Sequence, residues 1–166
     1  MPGEGDDVLS ATAPLREDGE PETPPTRRAQ SAVSRRRPTA ARGAGLVLVV
    51  DDTSDTRDLY ALYFQSRGFS VITAEDGEAG VETALRYEPD VIVMDLAMPR
   101  LDGVAATQRL RQDARTRDTA IIILTGYQAQ AMPLGAFEAG ADALLMKPCL
   151  PEDLERSVRK LLQSEA

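Results

Sequence analysis

The chain of 166 residues has no histidine and a single cysteine, Cys149. Without histidine it cannot form a Ser-His-Asp triad, a Cys-His pair or a histidine metal site, and it cannot carry phosphohistidine. With one cysteine it can form neither an internal disulfide framework nor a zinc site of several cysteines, which is typical of the reducing cytosol. We therefore expect a cytoplasmic protein whose chemistry depends on carboxylates, hydroxyls, arginine and lysine.

Long apolar runs are missing as well. No run approaches the roughly 18 apolar residues that a membrane-spanning helix needs. The segment Ser34-Arg35-Arg36-Arg37 invites comparison with a twin-arginine export signal. The apolar run that follows it, Leu46–Val50, has only five residues, whereas a signal peptide needs about 7–15. Export is therefore disfavoured.

Basic residues are scarce in the part of the chain that should fold. Residues 1–45 hold seven acidic residues and seven arginines, whereas the other 121 residues hold 20 acidic and 12 basic residues and carry the whole net charge of −8. Nonspecific binding to nucleic acid or to an anionic membrane needs a basic surface. The charge pattern therefore predicts no direct DNA binding and no membrane partner.

The first 44 residues are rich in Pro, Gly, Ser, Thr, Ala and charged residues, and their few bulky apolar residues are isolated. Such a segment buries too little apolar surface to offset the entropy of ordering. The composition predicts a disordered tail over residues 1–44 and a folded domain over residues 45–166. An alternative is that the basic half of the tail, Arg27–Arg42, docks on the acidic domain or inhibits it.

Strand and helix patterns alternate five times from Gly45 onward. The predicted strands are Leu46–Asp51, Phe69–Ala74, Val91–Asp95, Ala120–Thr125 and Ala143–Lys147. The predicted helices are Ser54–Arg67, with Leu59, Leu62 and Tyr63 facing the core, then Gly77–Tyr87, Gly103–Ala114, Gln128–Ala139 and Glu152–Leu162. The third and fourth strands are continuous apolar runs, which indicates burial on both faces. The pattern predicts an α/β fold with a doubly wound five-stranded parallel sheet.

Polar residues stand where the predicted strands end. They are Asp51-Asp52, Glu75, Asp95, Thr125 and Lys147. Taken alone, Lys147 is more simply explained as a solvated lysine and Thr125 as a β-former, whereas Asp51-Asp52 are as readily explained as loop or N-cap residues. Because the carboxyl ends of parallel strands line the ligand crevice of an open sheet, we expect this group to meet at one edge. The carboxylates of Asp51, Asp52 and Asp95, with the Thr125 hydroxyl and the Lys147 ammonium, predict a metal-assisted phosphoryl site.

The charges in this group predict separate roles. Two carboxylates about 4 Å apart repel by about 4 kcal/mol at an effective dielectric of ~20, and a cation that prefers oxygen ligands, such as Mg²⁺, relieves that repulsion. Asp95 is the candidate nucleophile, because a carboxylate can form an acyl phosphate. Lys147 can neutralise one phosphoryl oxygen, and Thr125 can donate a hydrogen bond to another.

Five motifs occupy these strand ends and the loops after them. They are Val49-Val50-Asp51-Asp52, then Asp90–Pro99 with Asp102-Gly103, then Leu124-Thr125-Gly126, Gly140-Ala141-Asp142 and Lys147-Pro148. In residues and spacing they resemble the receiver domain of two-component response regulators, the CheY-like family. The resemblance covers about residues 45–164 and implies the flavodoxin-like strand order 2-1-3-4-5.

The resemblance also implies roles for individual residues. Asp95 corresponds to the phosphoacceptor, and Thr125 and Lys147 correspond to the residues that hold the phosphoryl group. The implied Mg²⁺ ligands are Asp52 directly, Asp51 often through water, Asp95 and the backbone carbonyl of Ala97. The implied donor is a phosphohistidine on a sensor histidine kinase or a histidine phosphotransfer protein. The expected chemistry is self-phosphotransfer and autodephosphorylation, so we do not expect an enzyme in the usual sense.

Only Gln163–Ala166 follow the last predicted helix. We therefore expect a single-domain regulator, monomeric or weakly dimeric, that signals through changed contacts with a downstream protein. One alternative is a phosphatase of the haloacid dehalogenase type, but that family places an acid two residues after its nucleophile, where this chain has Ala97. Another is a binding module that kept the fold and is not phosphorylated.

Two positions depart from the family pattern. Leu144 stands where the family often has an aromatic residue that turns inward on activation, and Cys149 stands where it often has Phe. Leucine is smaller and has no hydrogen-bonding tip. We therefore expect the Asp95 site to be coupled only weakly to the face of the fifth strand and the last helix.

Removing residues 1–43 is predicted to leave the domain folded, because these residues lack the apolar side chains that a core needs. The melting temperatures of the full chain and of the truncated chain should be close. A large drop on truncation would show that the tail packs on the domain. Any contact between the tail and the acidic domain should weaken as salt is added.

Overall fold

The computed structural model describes residues 43–126 and 133–164. The disordered tail predicted for residues 1–44 therefore lies outside the described residues except at positions 43 and 44. The first part of the helix predicted from Gln128 lies outside them as well. Among the described residues, no helix has the length and apolar character that crossing a membrane requires.

The described chain alternates strand and helix five times. The strands are β1 Leu46–Val50, β2 Ser70–Ala74, β3 Val91–Asp95, β4 Ala120–Thr125 and β5 Ala143–Met146. The helices are α1 Ser54–Ser66, α2 Gly77–Tyr87, α3 Gly103–Gln112, α4 Pro133–Ala139 and α5 Pro151–Ser164. Most predicted boundaries agree within two residues. Helix α5 begins at Pro151, whose missing N–H costs nothing in a first helical turn.

All strand pairs are parallel, and the strand order is β2-β1-β3-β4-β5. This confirms the doubly wound fold and the predicted order. The register pairs Val50 with Met94 and Asp95 with Leu124. The carboxyl ends of the three central strands therefore reach the same edge of the sheet.

Side chains of the central strands alternate between two buried clusters, one on each face. One face packs against α2, α3 and α4, and the other packs against α1 and α5. Every residue of β3 and β4 is buried, whereas β5 is only partly buried. The predicted burial on both faces is confirmed for the central pair, which holds the site residues on a rigid support.

The predicted inner face of α1 is wrong. Leu59 and Leu62 are 54% and 68% exposed, and Tyr60 and Phe64 are buried instead. The two aromatic residues are one turn apart, and Phe64 packs edge-to-face on Phe69 with ring centroids 5.4 Å apart. Burying two aromatic rings removes more apolar surface from water than burying two leucines. The Tyr60 hydroxyl also donates a hydrogen bond to the Cys149 carbonyl at 2.8 Å, which ties α1 to the loop after β5.

Arg111, near the end of α3, links the segment just after the carboxyl end of α4 to the sheet. Its guanidinium donates to the carbonyl of Gly140 at 2.9 and 2.7 Å and to the carbonyl of Thr119 at 2.6 Å. It also pairs with the Asp142 carboxylate at 2.9 Å. The same carboxylate oxygen accepts the N–H of Ile121 at 2.8 Å. One side chain therefore joins α3, the start of β4 and the α4–β5 turn.

Arg111→Ala should lower the free energy of unfolding by about 2–4 kcal/mol, because it leaves partly buried carbonyls without a donor. Urea denaturation of the purified chain measures the change. The matched control is Arg109→Ala, an exposed arginine on the same helix, which should stay within about 0.5 kcal/mol of the wild type. Equal losses in both variants would contradict a special role for Arg111.

Candidate functional site

Asp51 follows β1 directly and is held in one orientation by its neighbours. It is only 2% exposed. Its Oδ1 accepts the N–H of Thr53 at 2.9 Å, and its Oδ2 lies 2.9 Å from the Lys147 ammonium. The Arg57 guanidinium donates to the Asp51 carbonyl at 2.7 Å. The carboxylate is therefore fixed at the sheet edge by a backbone donor on one side and a cation on the other.

Asp95 ends β3, beside β1 in the sheet, and is 8% exposed. Its Oδ2 lies 3.4 Å from the Lys147 nitrogen, so one ammonium is shared by two carboxylates. Asp52 is exposed at the same edge. One carboxylate oxygen from each of Asp51, Asp52 and Asp95 lies within 4.8 Å of the other two. The structure thus brings together three acids that the sequence places at the ends of two different strands.

Thr125 and Ala97 flank this group. Thr125 ends β4, one residue beyond the partner of Asp95 in the register, and is 5% exposed. Among the described residues, its hydroxyl makes a long contact, 3.3 Å, to the carbonyl of Gly126. Ala97 lies two residues after Asp95 in the loop after β3, and its backbone N–H acts to lower the pKa of the Asp95 carboxyl. Both residues therefore lie on segments that directly adjoin the acidic group.

Burial and the charge of an oppositely charged neighbour shift the pKa values of Asp95 and Lys147 in opposite directions. Burial raises the pKa of Asp95, the Lys147 ammonium opposes that rise, and the Asp51 charge reinforces it. Burial alone would lower the pKa of Lys147, but its hydrogen bond to Asp51 and the charge of Asp95 outweigh burial and raise that pKa. The contribution of Lys147 to stability is therefore fully present below its ordinary value of 10.5 and is lost as the pH rises through the raised pKa.

The donor set fits a divalent cation. Three carboxylates and one ammonium leave a formal charge of −2 (three negative and one positive) at the sheet edge. The ligand atoms are all oxygens, and the site is half open because Asp52 is exposed. Oxygen ligands in such a site favour Mg²⁺ over softer metals. Asp51, Asp52 and Asp95 are the residues that would hold it.

The fold and these motifs agree with a known family. The family model of the response regulator receiver domain matches residues 47–159. The chain belongs to the response regulator receiver family. This membership contradicts the dehalogenase alternative.

Three similar proteins illustrate the relationship. The receiver is 36% identical over 117 residues to the DNA-binding dual master transcriptional regulator RpaA of Synechocystis, covering 70% of this chain and 48% of that protein. A receiver domain protein from Clostridium thermocellum has a TM-score of 0.68 at 26% identity, covering 72% of this chain and 95% of that one. The receiver domain of a sensor histidine kinase from Pseudomonas aeruginosa, solved with a magnesium ion in its active-site cleft, has a TM-score of 0.67 at 29% identity, covering 72% and 98%.

These relatives correct two predictions. The chain spans about half the length of the curated relatives it matches, and several of them are named as transcriptional regulators or as DNA-binding. The expectations of a single-domain regulator and of no direct DNA binding are therefore contradicted. An acidic receiver surface bears only on contacts of the receiver domain and not on the other parts of those longer relatives.

Two further residues lie in a cleft at the sheet edge. Glu75, which the sequence places at this edge but not among the site residues, lines a cleft of about 330 Å³ with Arg57 and Thr73. Arg57 itself was missed, although it contacts the Asp51 carbonyl. It lies among the alternating charged residues of the first turns of α1, and nothing in that pattern distinguishes a residue that contacts the backbone from a solvated one.

Lys147→Met should raise the affinity for Mg²⁺ about tenfold, because it removes a positive charge that competes with the cation for the same carboxylates. The same change should lower the melting temperature in metal-free buffer, since Asp51 then lacks its counter-ion. Isothermal titration with Mg²⁺ and thermal unfolding measure the two effects. The control is Lys160→Met, which removes the other lysine of the chain from an exposed position on α5. Weaker Mg²⁺ binding by Lys147→Met would refute competition.

Proposed function

We propose that this receiver accepts a phosphoryl group on Asp95 from a phosphohistidine of a sensor histidine kinase or a histidine phosphotransfer protein. The observation that carries the proposal is the position of Asp95 beside both an ammonium and two other carboxylates. Its carboxylate lies 3.4 Å from the Lys147 ammonium and within 4.8 Å of ligand atoms from Asp51 and Asp52. A nucleophile, a phosphoryl-binding cation and a candidate metal site therefore coincide at one buried carboxylate.

In the proposed reaction an Asp95 carboxylate oxygen attacks phosphorus. The new O–P bond forms an acyl phosphate, and the P–N bond to the donor imidazole breaks with its electron pair going to nitrogen. Lys147, already beside Asp95, pairs with a phosphoryl oxygen, and the Thr125 hydroxyl donates to another. Bound Mg²⁺ would neutralise charge that develops on the phosphoryl oxygens. The Ala97 N–H, which acts to lower the pKa of Asp95, favours the charged form of the attacking carboxylate.

The same site can return the phosphoryl group to water, which limits its chemistry to self-phosphotransfer and autodephosphorylation. We therefore propose a phosphoprotein of a cytoplasmic two-component system, dependent on Mg²⁺, and not an enzyme with an external product. The names of the curated relatives favour transcriptional regulation as the output.

Treatment with acetyl phosphate and Mg²⁺ should raise the intact mass of the wild type by one phosphoryl group. Asp95→Asn should show no such increase, because an amide cannot form the acyl phosphate. The matched control is Asp102→Asn, an exposed acid in the same region whose helix-capping contact to Ala105 an asparagine can keep. It should be labelled like the wild type. Labelling of Asp95→Asn at the wild-type level would refute the assignment, and an unlabelled wild type would favour the unphosphorylated binding module.

A further inference from the structure

The loop between β3 and α3 carries Ala97 and is anchored at its two ends by backbone hydrogen bonds. The N–H of Leu96 donates to the Leu124 carbonyl at 2.8 Å, and the N–H of Gly103 donates to the Leu96 carbonyl at 2.8 Å. These bonds fix where the loop leaves β3 and where it enters α3. They do not hold the middle of the loop, from Ala97 to Leu101.

An ion pair holds that middle part to another element. The Arg100 guanidinium lies 2.9 Å from Oδ2 of Asp76, whose side chain is 4% exposed. The other oxygen of Asp76 accepts the N–H of Ala79 at 2.8 Å, so that Asp76 caps α2. One buried carboxylate therefore joins the start of α2 to the loop that leaves the phosphoacceptor strand.

The backbone of Arg100 is itself strained. Its φ is +68°, in the left-handed region that residues with a Cβ seldom adopt. Such a conformation persists only where the surroundings hold it. Next to it, the N–H of Leu101 closes a tight turn onto the carbonyl of Pro99 at 2.8 Å.

The loop also touches α2 with no space to spare. A Cβ added at Gly77, the first residue of α2, would lie 2.0 Å from the carbonyl oxygen of Leu101. That oxygen belongs to the backbone, so a side chain at position 77 would push the loop outward. The glycine and the ion pair thus act on the same stretch of loop.

We propose that Arg100 and Asp76 form a latch that sets the position of the Ala97 backbone at the phosphoacceptor site. Arg100 is a positioning residue in this proposal, and it acts through Ala97, which stands in the same loop two residues after Asp95. The inference rests on the proposed function of the site. It adds residues outside the acidic group as determinants of Mg²⁺ binding.

The alternative is that the pair only contributes to stability. The Arg100 side chain is 67% exposed, and exposed ion pairs contribute little. A loss of charge alone and the opening of a latch predict opposite changes in the affinity for Mg²⁺. Removing a positive charge near a cation site strengthens cation binding if charge alone matters. Opening the latch weakens Mg²⁺ binding by up to about tenfold. That factor is the lower end of the range for removing a group that orients a metal ligand without binding the metal itself.

The experiment is a Mg²⁺ titration of the full chain, followed by isothermal calorimetry, for the wild type and Arg100→Ala. Alanine keeps a Cβ, so the backbone preference at position 100 changes little and the main loss is the guanidinium. Arg100→Ala should bind Mg²⁺ several-fold more weakly, and Arg100→Lys should restore part of the loss. The control is Arg156→Ala, which removes a similarly exposed arginine, 3.1 Å from the half-exposed Asp153 on α5, and should bind like the wild type.

Two further variants separate the latch from charge. Gly77→Ala leaves the charge unchanged and should also weaken Mg²⁺ binding, because it displaces Leu101. The losses of Asp76→Asn and Arg100→Ala should not add in the double variant, because either change opens the same latch. Thermal unfolding in metal-free buffer should give Arg100→Ala a lower melting temperature than Arg156→Ala, because Asp76 is buried and Asp153 is not.

Three outcomes would overturn the latch while leaving the proposed function intact. They are Mg²⁺ binding by Arg100→Ala at or above the wild-type affinity, wild-type affinity in Gly77→Ala, and additive losses in the double variant. A wild type that neither binds Mg²⁺ nor gains a phosphoryl group from acetyl phosphate would overturn the proposed function and the latch together.

Discussion

Two carboxylates buried side by side are the constraint on which the site depends. Asp51 and Asp95 end neighbouring parallel strands and are 2% and 8% exposed. Their repulsion in a partly dry environment has to be balanced, and the structure balances it with one shared ammonium from Lys147. The balance is incomplete, because two carboxylates and one ammonium leave a charge of −1 and Asp52 makes it −2. That residual negative charge makes the edge of the sheet receptive to a cation, and it gives the nearby lysine a second possible partner in an anionic phosphoryl group.

Much of the fold follows from local patterns that the sequence displays openly. The apolar runs of β3 and β4, flanked by glycines and charged residues, define central strands, and their parallel pairing brings Asp51, Asp95 and Thr125 to one edge. The assignment of individual roles came from the family resemblance, because spacing alone does not distinguish a nucleophile from a ligand. The buried face of α1 could not be predicted correctly. Four of its residues are apolar, namely Leu59, Tyr60, Leu62 and Phe64, and only tertiary packing decides which of them are buried.

Contacts between distant segments were the least predictable part. Arg57, Arg100 and Arg111 each bind a backbone carbonyl or a carboxylate from another segment, yet a chain with many arginines gives no local sign of which ones do so. Composition also could not predict DNA binding by longer regulators, because the charge of one domain says nothing about the DNA contacts of the others. Leu144 packs against the cluster between the sheet and α2, α3 and α4. Its weak coupling to the Asp95 site stays a prediction.

The bonds made by Arg111 have a mechanical consequence. They fasten Gly140 and Asp142, just beyond the carboxyl end of α4, to α3 and to the start of β4. Because these bonds lie beyond Ala139, at the opposite end of α4 from Pro133, we expect any displacement of the helix to be smaller at Ala139 than at Pro133. A change at the end of β4 would then be felt by the start of α4 more than by its end.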